Sequence, residues 1–333
     1  MQDFENQIIC GDCIELLGKV DKPFADLIFA DPPFNIGYDY DTYNDVVDGE
    51  EYIAWTEKWM RACCNVLKPT GSFYIAIGDE FAAHVRITGD RLGLNLRNWI
   101  IWHYTFGQQT KNKFARAHTH IFYFSKASNY KELTFNDYAV RVPSDRQLLY
   151  NDKRANPRGK MPDDVWNQYS RVCGTFKERQ GWHPCQMPEL LLARIIAVSS
   201  NPGDLVLDPF SGSGTTAAVA CQLERRYTGI DISKNYVVNS IERIRKIRRS
   251  EIKSADNGPL TGRERLELTR LFVDVGIAAD EIRKSKKLLR IFAEQLSVRM
   301  NNNKRYQEET IAVALADLTH WVTKKQKSSA GRD

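Results

Sequence analysis

The chain has 333 residues, of which 42% are hydrophobic and 11% aromatic, so it can bury a full core. This composition excludes a disordered or fibrous protein. Lys and Arg total 47 against 42 Asp and Glu, a net charge of +5, so any affinity for nucleic acid must come from local clusters of cations.

The cysteines and the apolar runs predict the compartment. There are seven cysteines without disulfide-like spacing, and the first residues lack the charged-then-apolar pattern of a signal peptide. A reducing cytoplasm is therefore expected. The longest apolar run, residues 190–198, contains Arg194 and is far shorter than the roughly 20 residues that span a bilayer, so no transmembrane segment is predicted.

Short apolar segments that end in Asp or Gly alternate along the chain with longer segments of helical periodicity. The predicted strands are residues 8–12, 26–31, 72–78, 98–104, 205–208 and 227–231. The predicted helices between and after them are residues 50–67, 188–198 and 233–247. This alternation predicts an α/β fold with a doubly wound, mostly parallel sheet.

Two regions depart from this alternation. Residues 105–182 are rich in Lys, Arg, Asn, Gln and aromatic side chains, and we interpret them as an insertion into a domain of residues 1–253. Small polar residues with Gly and Pro predict a linker at 254–262, followed by a helical appendage at 263–333. The appendage could contact DNA, form a homodimer or cap the fold.

A strand, a glycine turn and a helix start are predicted around Asp208-Pro209-Phe210-Ser211-Gly212-Ser213-Gly214-Thr215-Thr216, here called the glycine loop. Glycine lets a ligand approach the backbone, and the helix start offers free N–H groups. Asp231 ends the next strand about 20 residues after Gly212, where a carboxylate can accept hydrogen bonds from ribose. These features predict an adenosine-type cofactor, and the loop alone leaves a nicotinamide or flavin enzyme equally open.

A second motif, Asp31-Pro32-Pro33-Phe34, follows the predicted strand 26–31 and is here called the DPPF turn. The exocyclic amino nitrogen of adenine or cytosine is a poor nucleophile, because its lone pair is delocalised into the ring. Asp31 and the main-chain carbonyl of Pro32 could accept hydrogen bonds from its two N–H groups and draw it toward tetrahedral geometry. The prolines restrict the backbone, and Phe34 can stack on the base.

Such a nitrogen could attack a sulfonium methyl group directly, with no covalent enzyme intermediate. A base inside a duplex leaves no room for this geometry, so the nucleotide must rotate out of the stack at a cost of roughly a few kcal/mol. A nicotinamide-dependent oxidoreductase would leave the DPPF turn unexplained. The two motifs together therefore favour base methylation.

The two motifs resemble those of the amino-methylating DNA methyltransferases, and their order, DPPF turn first, resembles the beta class. The resemblance spans about residues 8–247 and includes Gly11-Asp12-Cys13 and the segment from His183 to Pro188. It implies a Rossmann-like methyltransferase fold, S-adenosyl-L-methionine as cofactor and double-stranded DNA as substrate. Asp at the first position of the turn usually accompanies adenine N6 methylation in this family, with cytosine N4 methylation as the alternative.

The resemblance also implies site residues. Asp12 and Cys13 would contact the cofactor adenine, and Asp231 its ribose. Met187 stands where many relatives have Lys, so no charged contact is expected there. The full set of implied cofactor-binding residues is Asp12, Cys13, Asp31, His183, Gln186, Pro188, Asp208, Pro209, Phe210, Ser211, Gly212, Ser213, Gly214, Thr215, Thr216 and Asp231.

Cations, amides and aromatic side chains occur together within residues 105–182, which suits contacts with phosphates and base edges. The predicted DNA-binding residues are Lys111, Lys113, Arg116, His118, Arg158, Lys160, Arg171, Lys177 and Arg179. The resulting hypothesis is a site-specific adenine methyltransferase of a prokaryote or phage, of the restriction-modification type. An RNA substrate and a catalytically silent DNA-binding protein stay open. No metal site is predicted, because the Cys10 and Cys13 pair is better explained by burial.

Overall fold

The computed structural model describes residues 4–108, 110–150, 152–174, 176–254 and 259–329. The chain forms two units, Met1–Phe135 with Asp163–Arg249, and Asn136–Pro162 with Ser250–Asp333. The segment 136–162, which the sequence places inside the inserted region, belongs to the second unit because it packs with helices far along the chain. Residues 255–258 of the predicted linker lie outside the described residues.

In the described residues the first unit contains an eight-stranded sheet. Its strands are β1 (Gln7–Cys10), β2 (Ala25–Ala30), β3 (Leu67–Ile77), β4 (Asn95–Gln108), β5 (Arg116–Ser125), β6 (Val165–Trp166), β7 (Leu205–Asp208) and β8 (Arg226–Asp231). Their order is β1-β8-β7-β2-β3-β5-β4-β6. All neighbours are parallel except β5, which is antiparallel to both β3 and β4. The predicted α/β fold with a mostly parallel sheet is confirmed.

The helices are α1 (Cys13–Leu17), α2 (Gly49–Val66), α3 (Asp79–Arg91), α4 (Asp145–Leu148), α5 (Glu189–Ser199), α6 (Thr215–Gln222), α7 (Lys234–Ser254), α8 (Gly262–Val275), α9 (Ala279–Lys284), α10 (Lys286–Met300) and α11 (Glu308–Ser329). The predicted crossover helix is α2, which begins where the Asp48 carboxylate accepts the N–H groups of Glu50 and Glu51. Its buried face includes Tyr52 and Trp59. None of the helices that the structure describes has the length and apolarity of a membrane span.

Some local expectations differ from the structure. Residues 68–71, which follow the end of α2, lie in β3, where Lys68 forms an ion pair with Asp26 at 2.7 Å. The strand β5 lies inside the region interpreted as an insertion, and it pairs on both sides. Cys10, predicted to be buried, is exposed, whereas Cys13 is buried. Within the predicted helical appendage, α9 and α10 are separated at Ser285, whose hydroxyl caps α10.

The strand order determines where the acidic residues lie. Asp31 directly follows β2, Asp208 ends β7 and Asp231 ends β8. Because β7 lies between β2 and β8 and all three run parallel, the three carboxylates emerge at one edge of the sheet. The apolar core beneath this edge includes Ile28 and Leu207.

The second unit has its own core, formed mainly by α8, α10 and α11. Buried arginines attach the segment 136–162 to these helices. Arg270 donates to the Glu267 carboxylate at 2.6 Å and to the Ala139 carbonyl at 3.0 Å, and Arg299 donates to the Arg141 carbonyl at 2.9 Å. These charge-assisted bonds explain why residues from the middle of the chain belong to the C-terminal unit.

Candidate active site

Two clefts open at the carboxyl ends of the strands, and they share Asp31, Tyr40, Cys185 and Met187. The glycine-loop cleft is lined by the residues that follow β1, by the glycine loop and the end of β8, and by the loop that follows the DPPF turn. The DPPF cleft is lined by the DPPF turn and by side chains from β4 and β5. Asp31 therefore stands where the two spaces meet.

The glycine loop turns sharply between β7 and α6. Gly212 and Gly214 have φ values of 46° and 70°, in the left-handed region. A Cβ at Gly212 would lie 2.7 Å from Nε2 of His183, and one at Gly214 would lie 2.7 Å from Cβ of Ser240. Both positions therefore require glycine, because the left-handed backbone and these close neighbours exclude a side chain.

Asp208 fastens this loop to the helix that follows. It is 4% exposed, and its carboxylate accepts hydrogen bonds from the Thr216 hydroxyl at 2.5 Å and the Phe210 N–H at 3.0 Å. Burial raises the pKa of Asp208 to about 7, although these hydrogen bonds oppose the change. Asp208 thus fixes the entry into α6.

Two further carboxylates fix backbone at the rim of the glycine-loop cleft. Asp231 accepts from the Gly212 N–H at 2.7 Å and the Ser233 N–H at 2.8 Å, and burial raises its pKa. Asp12 caps α1 by accepting from the Ile14 N–H at 2.6 Å. A carboxylate oxygen can accept more than one hydrogen bond, so both residues can still bind hydroxyl or amino groups in the cleft.

The two proline carbonyls of the DPPF turn differ in their hydrogen bonding. The Tyr52 hydroxyl donates to the Pro33 carbonyl at 2.5 Å. The Pro32 carbonyl has no hydrogen-bond donor within the described ranges, and Pro32 lines the DPPF cleft. The Phe34 ring lies against Gly78, where an added Cβ would come within 3.4 Å of the ring. The pair of acceptors that the sequence predicts, Asp31 and Pro32, is thus open to a ligand.

The surroundings of Asp31 set its charge. Burial raises the pKa of Asp31 to about 7, and the like charge of Asp208 acts in the same direction. The Arg171 guanidinium opposes both effects. Asp31 therefore changes between an acid and a carboxylate near neutral pH.

His183 forms part of the wall over the glycine loop. Burial lowers the pKa of His183 to about 4, so the ring is neutral at pH 7. Its Nδ1 accepts the Cys185 N–H at 3.3 Å, which places the ring proton on Nε2, beside Gly212. The ring packs against Tyr236, with centroids 4.6 Å apart. His183 is thus a fixed, uncharged donor in the cleft.

Most of the cofactor-binding residues predicted from the sequence line the glycine-loop cleft. They are Asp12, Cys13, Asp31, His183, Asp208, Pro209, Phe210, Ser211, Gly212, Ser213, Thr215, Thr216 and Asp231. Gln186, Pro188 and Gly214 do not line it. The Gln186 amide is instead engaged by the Gln180 N–H and the Glu178 carbonyl, and Pro188 precedes the first turn of α5.

The same cleft contains residues that the sequence analysis missed: Tyr40, Thr42, Tyr43, Trp55, Leu192, Ile232 and Tyr236. Tyr40 and Tyr43 come from a loop organised around Asp45, which is 2% exposed and accepts the N–H groups of Asn35 at 2.8 Å and Tyr38 at 3.0 Å. The tyrosines that cluster directly after the DPPF turn are the signal that could have revealed this wall.

The predicted DNA-binding residues are distributed over both units. Arg116, His118 and Arg171 line the DPPF cleft, and Arg116 forms an ion pair with Asp79 at 2.9 Å. The other predicted DNA-binding residues are exposed. Lys111, Lys113, Lys177 and Arg179 belong to the first unit, and Arg158 and Lys160 belong to the second. In the part of the chain that the structure describes, no group of three or more His, Cys, Asp or Glu side chains could hold a metal ion.

Comparison with known proteins places this site in a family. Residues 25–242 match the family model described as DNA methylase. The type II methyltransferase M.HpaI of Haemophilus parainfluenzae is 38% identical over 241 residues, which cover 72% of this chain and 74% of that protein. The DNA adenine methyltransferase YhdJ of Escherichia coli is 38% identical over 248 residues, 71% of this chain and 82% of YhdJ.

The fold also has a solved counterpart. The protein TTHA0409 of Thermus thermophilus, crystallised in complex with S-adenosyl-L-methionine, matches with a TM-score of 0.53 and 22% identity. The match covers 73% of this chain and 94% of that protein. At this sequence identity, the match shows that the two proteins share a fold.

Proposed function

The chain belongs to the DNA methylase family whose members methylate adenine N6 or cytosine N4, and we propose that it transfers a methyl group from S-adenosyl-L-methionine to N6 of adenine. The observation that carries this proposal is the pair of open acceptors in the DPPF cleft, the Pro32 carbonyl and Asp31, of which Asp31 also lines the glycine-loop cleft.

The glycine-loop cleft suits the cofactor. Gly212 lies in the cleft wall with its backbone in the left-handed region, and the Ser211 hydroxyl is buried in the same wall without a hydrogen-bond partner among the described residues. Asp231 lies at the β8 end, where ribose hydroxyls would find an acceptor, and Asp12 and Cys13 lie beside it. When bound, S-adenosyl-L-methionine supplies an electrophilic sulfonium methyl group.

The DPPF cleft suits a base that has left the helical stack. Phe34 offers a ring to stack on it, while Asp31 and the Pro32 carbonyl accept the two N–H groups of its amino nitrogen. These hydrogen bonds draw electron density toward the nitrogen and favour its tetrahedral geometry. Asp31, as a carboxylate, then stabilises the positive charge that develops there, and the excess proton leaves to water or to Asp31 itself.

Adenine is favoured as the base on two grounds. The first is the Asp at the head of the DPPF turn. The second is the similarity to YhdJ, a relative named as a DNA adenine methyltransferase. The amino groups of adenine and cytosine present the same pair of N–H donors, so cytosine N4 methylation would use the same residues.

The remaining parts of the proposal concern DNA. The substrate is double-stranded DNA at a short sequence, in a bacterial or phage restriction-modification context. Lys111, Lys113, Lys177 and Arg179 are exposed cations of the first unit that would contact phosphates, as would Arg158 and Lys160 of the second. Arg116 and His118 lie in the cleft wall, where they can meet the displaced nucleotide.

Single-molecule sequencing of methylation-free host DNA after expression of the protein tests this function. We expect N6-methyladenine at one short recurrent sequence and at no such site in cells that express Asp31→Ala. N4-methylcytosine at that sequence would correct the base and retain the mechanism. The absence of any modified base would contradict the proposal.

A further inference from the structure

Arg171 is the cation whose charge acts on Asp31, and none of the steps proposed above uses it. Its side chain lines the DPPF cleft together with Asp31. Its Nη2 donates to the Tyr38 hydroxyl at 2.9 Å, and its guanidinium lies over the Tyr104 ring, 5.3 Å from the centroid. Two contacts from separate parts of the unit thus hold the guanidinium plane in place.

A fixed guanidinium has hydrogen-bonding capacity to spare. It carries five N–H donors and no acceptor. Among the residues that the structure describes, Tyr38 takes one of these donors and the Cys185 thiol is a weak second partner. Because Arg171 is not fully buried and borders the cleft, its remaining N–H groups are available to an acceptor that enters the cleft.

The chemistry of the bases identifies that acceptor. The amino group of adenine stands next to N1, which accepts a hydrogen bond, and that of cytosine stands next to N3, which also accepts one. Guanine and thymine present an N–H at the equivalent ring position. An acceptor beside a donor, such as Asp31 beside Arg171, is therefore complementary to the Watson–Crick edge of adenine or cytosine and repels that of guanine or thymine.

We propose that Arg171 donates a hydrogen bond to the ring nitrogen beside the target amino group, N1 of adenine, so that Asp31 and Arg171 together read the edge of the flipped base. This rests on the proposed function. The proximity of the two side chains also appears in their electrostatics, since the Arg171 charge lowers the pKa of Asp31 against the effect of burial. Tyr38 and Tyr104 act as positioning residues for the guanidinium.

The test compares two enzymes on two substrates. Wild type and Arg171→Met are assayed on duplexes with the recognition sequence in which the target is adenine or 1-deazaadenine, where a C–H replaces N1. The altered base pairing of 1-deazaadenine is common to both enzymes and cancels in the comparison. We expect wild type to lose about 10- to 100-fold in kcat/KM on 1-deazaadenine, the usual effect of a hydrogen bond to a charged group.

Arg171→Met should lose a similar factor on adenine, and its ratio of kcat/KM on adenine to that on 1-deazaadenine should fall below the wild-type ratio by about the same factor. Arg91→Met, at an exposed position that ends α3, is the matched control and should keep the wild-type discrimination. Tyr38→Phe keeps the arginine but removes the acceptor that holds it, and it should reduce the discrimination only in part. S-adenosyl-L-methionine binding, measured for each variant, reports whether the cleft has kept its structure.

The outcomes separate this inference from the function on which it rests. If Arg171→Met discriminates against 1-deazaadenine as strongly as wild type does, Arg171 does not contact N1 and the inference is overturned, while adenine methylation stands. If wild type methylates neither duplex, the proposed function fails instead. Partial discrimination by Tyr38→Phe, between the two extremes, supports the positioning of Arg171.

Discussion

The Tyr52 hydroxyl donates to the Pro33 carbonyl at 2.5 Å and so ties the DPPF turn to the helix α2. This bond occupies one carbonyl of the turn and leaves its neighbour, that of Pro32, for a ligand. Tyr52 itself is 1% exposed and packs against Phe81, with ring centroids 4.3 Å apart. The helix thus sets the orientation of the acceptors at the site.

Tyr52→Phe removes the hydroxyl that makes this hydrogen bond, and we expect kcat to fall by about 10-fold because the turn loses its anchor. The affinity for S-adenosyl-L-methionine should change little, since the glycine loop is untouched. Single-turnover methylation and calorimetric cofactor binding measure the two effects. Tyr130→Phe, at an exposed site, is the control. A full wild-type rate in Tyr52→Phe would refute the anchoring role.

The pH dependence of the reaction follows from the charge of Asp31. Its pKa is raised to about 7, so the carboxylate that accepts the amino N–H is lost as the pH falls below that value. We expect kcat/KM to rise from pH 5.5 to about 7 and then to level off. The groups around Asp31 are Asp208, Arg171, Tyr40 and Cys185.

Two substitutions test this assignment. Asp208→Asn removes a like charge and should move the midpoint of the profile to lower pH, whereas Arg171→Met removes a cation and should move it to higher pH. A profile that is flat between pH 5.5 and 8.5, or midpoints that do not respond to either substitution, would show that Asp31 does not control the rate.

The glycine loop gives a prediction about cofactor binding. In Gly212→Ala the new methyl group would lie 2.7 Å from the His183 ring, at a φ of 46° that alanine rarely adopts. We expect the affinity for S-adenosyl-L-methionine to fall at least about 10-fold, as measured by calorimetry. Gly49→Ala, where no atom lies within 4 Å of the added Cβ, should bind as wild type does. Equal affinities for the two variants would contradict the prediction.

The exposed lysines between β4 and β5 predict a change in salt dependence. If Lys111 and Lys113 contact phosphates, each Lys→Ala substitution should reduce the slope of log K against log salt by about 0.9 for duplex DNA. Fluorescence anisotropy over a range of salt concentrations measures this slope. Lys19→Ala, an exposed lysine just after α1, serves as the control. Unchanged slopes in all three variants would exclude phosphate contacts by this loop.

The sequence predicted the parts of the site that depend on local patterns. The acids Asp31, Asp208 and Asp231 stand at the ends of short apolar strands, a local pattern that the sequence shows directly. The glycine loop was predictable because its backbone conformation demands particular residues. Both features can be recognised from the residue types of a few consecutive positions.

The rest depends on partners that are distant in the chain. The strand β5 pairs with β3 and β4. Its apolar residues lie within a polar stretch of sequence, and nothing in that stretch indicates which strands they pair with. The packing of residues 136–162 with the C-terminal helices relies on buried arginines such as Arg270 and Arg299, which look like surface residues in the sequence. Tyr40 and Tyr43 reach the cleft only because Asp45 folds their loop, a side-chain to backbone network with no fixed spacing.

The most direct test of the central claim is mass spectrometry of nucleosides from unmethylated DNA incubated with purified protein and S-adenosyl-L-methionine labelled in its methyl group. The account predicts labelled N6-methyladenine with wild type and none with Asp31→Ala, although the variant still binds the cofactor. Labelled N6-methyladenine at the wild-type level from Asp31→Ala, or no labelled DNA nucleoside from a wild-type protein that binds the cofactor, would contradict it.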